Sequence, residues 1–217
     1  MTPFVNVLWS SAVEAFPSVE GAATSAENDA TTTHVVTLPG GVTSGDLLLI
    51  FIRNMGDTPV YTTPTGWTLV GSIATNGVSY VYKRVADGGE GATVSITADS
   101  TGRSASIAAR ISGAHGDVEA EMTDGSLDAP SITPSWGAAK TLLIAYGSSR
   151  RVVNTLTAPS PFTGQVDSAT DDTGSTLDGR VAIAFHDSEA ASYNPDAWGS
   201  SGTVNRPQSG IVAVRPA

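Results

Sequence analysis

Asp46-Leu47-Leu48-Leu49-Ile50 has a counterpart in Thr141-Leu142-Leu143-Ile144, 95 residues further on, and this pair decides the fold. Leu47 to Ile52 is continuously apolar. It is too short for a core helix and is flanked by glycine and by Asp57-Thr58-Pro59, so it reads as a strand buried on both faces. Other pairs follow in the same order. Pro64-Thr65-Gly66-Trp67 is echoed by Pro159-Ser160-Pro161-Phe162, and Val78 to Val85 by Arg180 to His186. Ser106 to Arg110 is answered by Gly210 to Arg215, where the offset has grown to about 104, as expected if loops lengthened between retained strands.

The remaining strand signals have a period of two. Val78, Tyr80 and Tyr82 alternate with Ser79, Val81 and Lys83, and Ala105, Ile107, Ala109 and Ile111 alternate with polar or small residues. Thr75-Asn76-Gly77 predicts a tight hairpin, because Asn-Gly suits the positive φ angles of a type I′ turn. Pro39-Gly40-Gly41 stops the strand at Thr33 to Leu38. No stretch of helical length has a convincing 3.6-residue period, although Ser10 to Phe16 has room for one short turn. The expected fold is all-β, an antiparallel β-sandwich or jelly roll built from two sequence-related halves. Residues 1–30 read as an N-terminal arm, with a strand at Phe4 to Trp9 and an extended loop from Ser18 to Ala30. Residues 31–217 form the sandwich, its halves spanning about 31–128 and 129–217 with a joint at Pro130 to Pro134. A single sandwich is preferred to two tandem domains, because the second half alone has a thin core.

Composition narrows the function. The 217 residues are 40% hydrophobic and only 15% charged, with a net charge of −10. Lys83 and Lys140 are the only lysines, so no basic stripe exists for nucleic acid or for an anionic membrane. Arg150-Arg151, an adjacent basic pair, reads as a solvated loop. The absence of cysteine excludes disulfides and thiolate chemistry. No secretory leader and no apolar run of membrane-spanning length is visible.

Catalytic motifs are missing. There is no Gly-x-Ser-x-Gly, P-loop or Gly-x-Gly-x-x-Gly pattern. His34 and His186 fall in strands and His115 in a glycine-flanked loop, with no metal-ligand spacing, so all three read as ordinary structural or surface histidines. Asp117, Glu119 and Glu121 would share one face of a strand, where a calcium ion or a basic partner would relieve their repulsion; a solvated, aggregation-blocking edge is the preferred reading. Asp167, Asp171, Asp172 and Asp178 form a second acidic run. Trp67 and Phe162 occupy equivalent places and read as packing residues. Tyr61, Tyr193 and Trp198 fall in loops and are the candidate contact surface.

His34-Val35-Val36-Thr37-Leu38-Pro39, Gly45-Asp46-Leu47-Leu48-Leu49, Pro64 to Val70, Tyr82 to Gly91 and the ending Ile211 to Pro216 together resemble a broad group of tailed-phage and prophage virion-associated proteins. The resemblance runs from His34 to the C-terminus and brings no catalytic residues with it. It implies a non-enzymatic structural protein, assembled in the host bacterial cytoplasm and displayed on the virion surface. Its expected partners are major capsid or tail proteins and copies of itself. Capsid decoration by non-covalent docking ranks first, a tail or fibre adhesin for host cell-surface glycan second, and a glycan-degrading enzyme third.

Overall fold

The computed structural model describes residues 14–56, 58–150, 155–171, 173 and 175–217. The strand expected at Phe4 to Trp9, most of the turn at Ser10 to Phe16, Arg151 and Asp172 lie outside the described residues. Among the described residues there is no helix. The strands are β1 (Ser18–Thr37), β2 (Leu47–Asn54), β3 (Tyr61–Thr62), β4 (Thr68–Ile73), β5 (Val78–Val85), β6 (Thr93–Ser112), β7 (Ala114–Asp124), β8 (Thr141–Arg150), β9 (Leu156–Thr157), β10 (Thr163–Ala169), β11 (Gly179–Ser188), β12 (Gly199–Ser200) and β13 (Asn205–Pro216).

Two antiparallel sheets face each other as a β-sandwich. The first runs β1-β6-β2-β5-β4, with β3 added to β6; the second runs β10-β11-β8-β13-β7. Strand β10 packs over β1 and β6, β11 over β6 and β2, and β7 over β4 and β5. Setting β1 to β6 beside β7, β8, β9, β10, β11 and β13 respectively gives both five-strand paths the same order. The register agrees in detail, since β4 and β10 each carry an irregularity at the same point, between Leu69 and Gly71 and between Thr163 and Val166. The two Pro turns also close alike: Trp67 N–H donates to the Pro64 carbonyl at 3.0 Å and Phe162 N–H to that of Pro159 at 2.8 Å.

The continuous apolar runs are explained by three cores. Leu47, Leu49 and Phe51 of β2 meet Leu142, Ile144 and Tyr146 of β8 between the sheets. The alternate residues Leu48, Ile50 and Ile52 point the other way, into a second core with Trp67, Tyr80 and Ile96. Leu143 and Ala145 likewise enter a third core with Ile132, Phe162 and Trp198. Every residue of β2 and β8 is therefore buried, and period-two alternation survives as alternation between cores. Each fully buried Leu, Ile or Phe contributes roughly 1.5–3 kcal/mol of transfer free energy. The outer covers differ. Over the first sheet lie the paired ends of β1 and β6 with β3; over the second lie the segments 125–140, 155–162 and 189–204.

Four expectations change. Ser18 to Ala30 is not a loop: β1 starts at Ser18 and pairs with β6 from Ser18↔Ser112 onward. Its small polar side chains give little periodic signal, but an edge strand needs only a backbone partner and tolerates a solvated face. The chain passes from one sheet to the other at Gly113 (φ 65°), earlier than the break placed near residue 128. Pro130 to Pro134 instead belongs to the cover, where Ile132 and Tyr193 exchange backbone hydrogen bonds of 2.8 Å. Arg150 is not in a solvated loop either; it ends β8, is buried and donates to the Met55 carbonyl. The Asn76-Gly77 hairpin forms as expected, with φ of 57° and 90°.

Candidate functional site

Buried polar groups gather where β2 and β8 end. Arg53 is fully buried; its Nη1 donates to Ser148 Oγ at 2.7 Å and its Nη2 to the Arg206 carbonyl at 2.7 Å and the Asn76 carbonyl at 3.3 Å. Burial pushes its guanidinium down to about 10, so it stays charged at neutral pH. Nearby, Ser79 Oγ donates to Gln208 Oε1 and bonds the Tyr146 hydroxyl at 2.6 Å, while Gln208 Nε2 donates to the Thr75 and Gly77 carbonyls at 2.8 Å. These bonds tie the sheets together at one end.

A Ser-His pair exists but is built for packing. Gly56 N–H donates to Asn54 Oδ1 at 2.8 Å, which turns the amide NH₂ towards His34 Nε2 at 3.2 Å. Nε2 is then the acceptor, so Nδ1 carries the proton and donates to Ser104 Oγ at 2.8 Å. A base that would activate the serine needs the opposite polarity. All three side chains are buried.

Asp117, Glu119, Asp167 and Asp178 are answered by this chain's own donors. Asp117 accepts from Arg215 Nη1 at 2.9 Å and faces His115 Nδ1 at 3.1 Å; the Arg215 bond holds its carboxyl below the usual range. Glu119 accepts from the backbone N–H and hydroxyl of Ser135, and Glu121 is exposed. His115 belongs to β7 rather than a loop. Among the described residues no group of three or more His or acidic side chains is placed to hold a metal. Asp178 is buried, paired with Arg103, and accepts from the Thr173 and Ser175 N–H groups at 2.9 and 2.8 Å. Asp167 pairs with Arg180 at 3.1 Å, and Asp171 N–H donates to Asn28 Oδ1 at 2.8 Å.

Two of the three expected contact aromatics are core residues. Tyr61 is 5% exposed and stacks edge-on to His34 and Tyr80; Trp198 is 4% exposed and packs in the third core. Their flanking sequence is loop-like, but those loops fold back over a sheet face, and ring burial decides the matter. Trp67 and Phe162 are buried as expected. Tyr193 alone remains partly exposed, its ring 5.8 Å from Phe162 and 5.2 Å from His186.

That ring cluster borders an open cleft of about 690 Å³, set between the start of β1 and the adjoining ends of β10 and β11. Phe16, Phe185, Thr163, His186 and Asp187 line it. Alternation along β11 splits the neighbours: Phe185 leans towards the central core, while His186 faces Phe162 and Tyr193. None of the cleft residues was singled out from sequence as a contact residue. The available signal was His186-Asp187 closing a strand just before a long excursion. No protein-family model matches the chain, and neither does any curated protein or solved structure.

Proposed function

We propose that this is a non-enzymatic structural protein of a bacteriophage virion, decorating the capsid by non-covalent docking. The observation that carries the reading is the closed architecture. Both outer sheet faces are covered by the chain's own segments, and the polar groups inside serve as struts between sheets. What remains for contact is the solvated surface: the sandwich ends, the loops and the edge strands β1, β4, β7 and β10. A rigid block of this kind suits attachment to a repeating lattice, and its net charge of −10 keeps free copies apart before assembly. Its partners on this reading are capsid or tail proteins and further copies of itself, met after assembly in the host cytoplasm. The shared strand order of the two sheets supports their origin as duplicated halves, with the framework retained and the covers diverged.

Electron microscopy of particles assembled with and without the protein tests the proposal. A surface density should vanish from the head without it and return when purified protein is added back. Identical head densities overturn capsid decoration, and a density lost from the tail instead moves the protein there.

A further inference from the structure

We propose that Asn76 is a modification site: its side-chain amide is lost to attack by the backbone nitrogen of Gly77, and the aspartate or isoaspartate that results loosens the end of the sandwich where the two sheets are tied. The inference does not depend on the virion reading. Asn76 is the one asparagine of the chain that precedes a glycine, and Gly77 has no Cβ to shield its nitrogen. The fold itself requires this pair. Asn76 takes a φ of 57° and Gly77 a φ of 90°, a region that asparagine and glycine tolerate best. A Cβ on Gly77 would also stand 3.2 Å from the Asn54 carbonyl oxygen and 3.3 Å from Arg53 Nη2. Asn76 is exposed, so water reaches its amide.

Arg53 prepares the nucleophile. Its charged Nη2 donates to the Asn76 carbonyl at 3.3 Å, and that carbonyl is conjugated with the Gly77 nitrogen. A cation there stabilises the amide anion formed when the Gly77 N–H gives its proton to hydroxide. The Gly77 nitrogen bonds to Asn76 Cγ, the Cγ–Nδ2 bond breaks, and Nδ2 leaves as ammonia with a proton from water. A water molecule then opens the cyclic imide at one of its two carbonyls. One opening gives aspartate; the other gives isoaspartate, with one more carbon in the backbone. The consequence follows from what Asn76 touches. Its Nδ2 and Thr75 Oγ1 both donate to Asp124 Oδ2, at 3.1 and 2.8 Å. Conversion deletes the first donor and sets a second carboxylate against Asp124. The Thr75 and Gly77 carbonyls each accept from Gln208 Nε2 at 2.8 Å, on either side of the Asn76 carbonyl that accepts from Arg53. A lengthened backbone between them displaces the carbonyls that these two side chains need.

Ageing the full chain in warm, mildly alkaline buffer, with peptide mass mapping over time, tests this; the same chain in denaturant is the control. The folded protein is expected to gain the mass of an amide-to-acid exchange at Asn76 ahead of every other asparagine, part of it as isoaspartate. The converted fraction should melt about 2–4 °C lower or more, the response of a domain this size to losing one hydrogen bond. Asn76→Asp places the second carboxylate directly and should also melt lower, with part of the loss recovered at high salt. Asn76→Gly tolerates the same backbone and cannot convert, so ageing should leave its melting temperature unchanged. A folded chain that stays unconverted at Asn76 while the denatured chain converts overturns the proposal. Conversion without a fall in melting temperature does so too, as does an equal fall in aged Asn76→Gly.

Discussion

His34 is 1% exposed between Ser104 and Asn54, and burial pushes its imidazolium from an ordinary value near 6.5 down to about 4. The unfolded chain takes up this proton near pH 6.5, and the folded chain only near pH 4. The stability tied to neutral His34 is thus complete above pH 6.5, is lost as pH falls from there towards 4, and levels off below. A shift of this size corresponds to on the order of 3 kcal/mol. His34→Gln removes this titration. The melting temperature of the natural protein should therefore fall more steeply between pH 6.5 and 4 than that of the variant. Parallel curves would show that His34 does not titrate in this way. None of this was legible around Thr33-His34-Val35, because the groups that bury and orient the ring come from Asn54 and Ser104. Arg53 is a similar case. Its partners, Ser148 and the carbonyls of Asn76 and Arg206, are 23 to 153 residues away in sequence, so nothing local marks it as buried.

Strand β8 places Leu143, Ala145 and Gly147 on its outer face, and Trp198 lies against the last of these. A Cβ on Gly147 would stand 2.7–2.9 Å from three atoms of the indole. Both groups are buried, so the ring could relieve the clash only by leaving its place. Gly147→Ala is expected to cost about 1–3 kcal/mol and to red-shift the tryptophan emission as Trp198 meets water. An unchanged spectrum at unchanged stability would contradict this packing. Some of the element level could be read beforehand. The double burial of β2, the hairpin at Asn76-Gly77 and the Trp67 and Phe162 turns follow from local pattern. The covers could not, because segments such as 189–204 have loop composition and gain their partners from strands far away in sequence.

The central core draws Leu47, Leu49 and Phe51 from one sheet and Leu142, Ile144 and Tyr146 from the other. Removing either sheet would expose the inner face of its partner and leave the buried Arg53 without Ser148. The chain should therefore unfold in one cooperative step, with calorimetric and van't Hoff enthalpies in agreement. Two resolved transitions would mean that the sheets fold as separate units. Strand character, the apolar runs and the order of recurring motifs all follow from local spacing and composition, because backbone geometry turns alternation and turn chemistry directly into strands and hairpins. Which residues lie on the surface was decided only by the tertiary structure. Tyr61 and Trp198 went inside, Ser18 to Ala30 became an edge strand, and Phe16, Phe185, His186 and Asp187 came together at one cleft. The physical reason is that burial and cleft formation depend on contacts between residues distant in sequence, and the local pattern of a chain carries no record of which distant face will cover it.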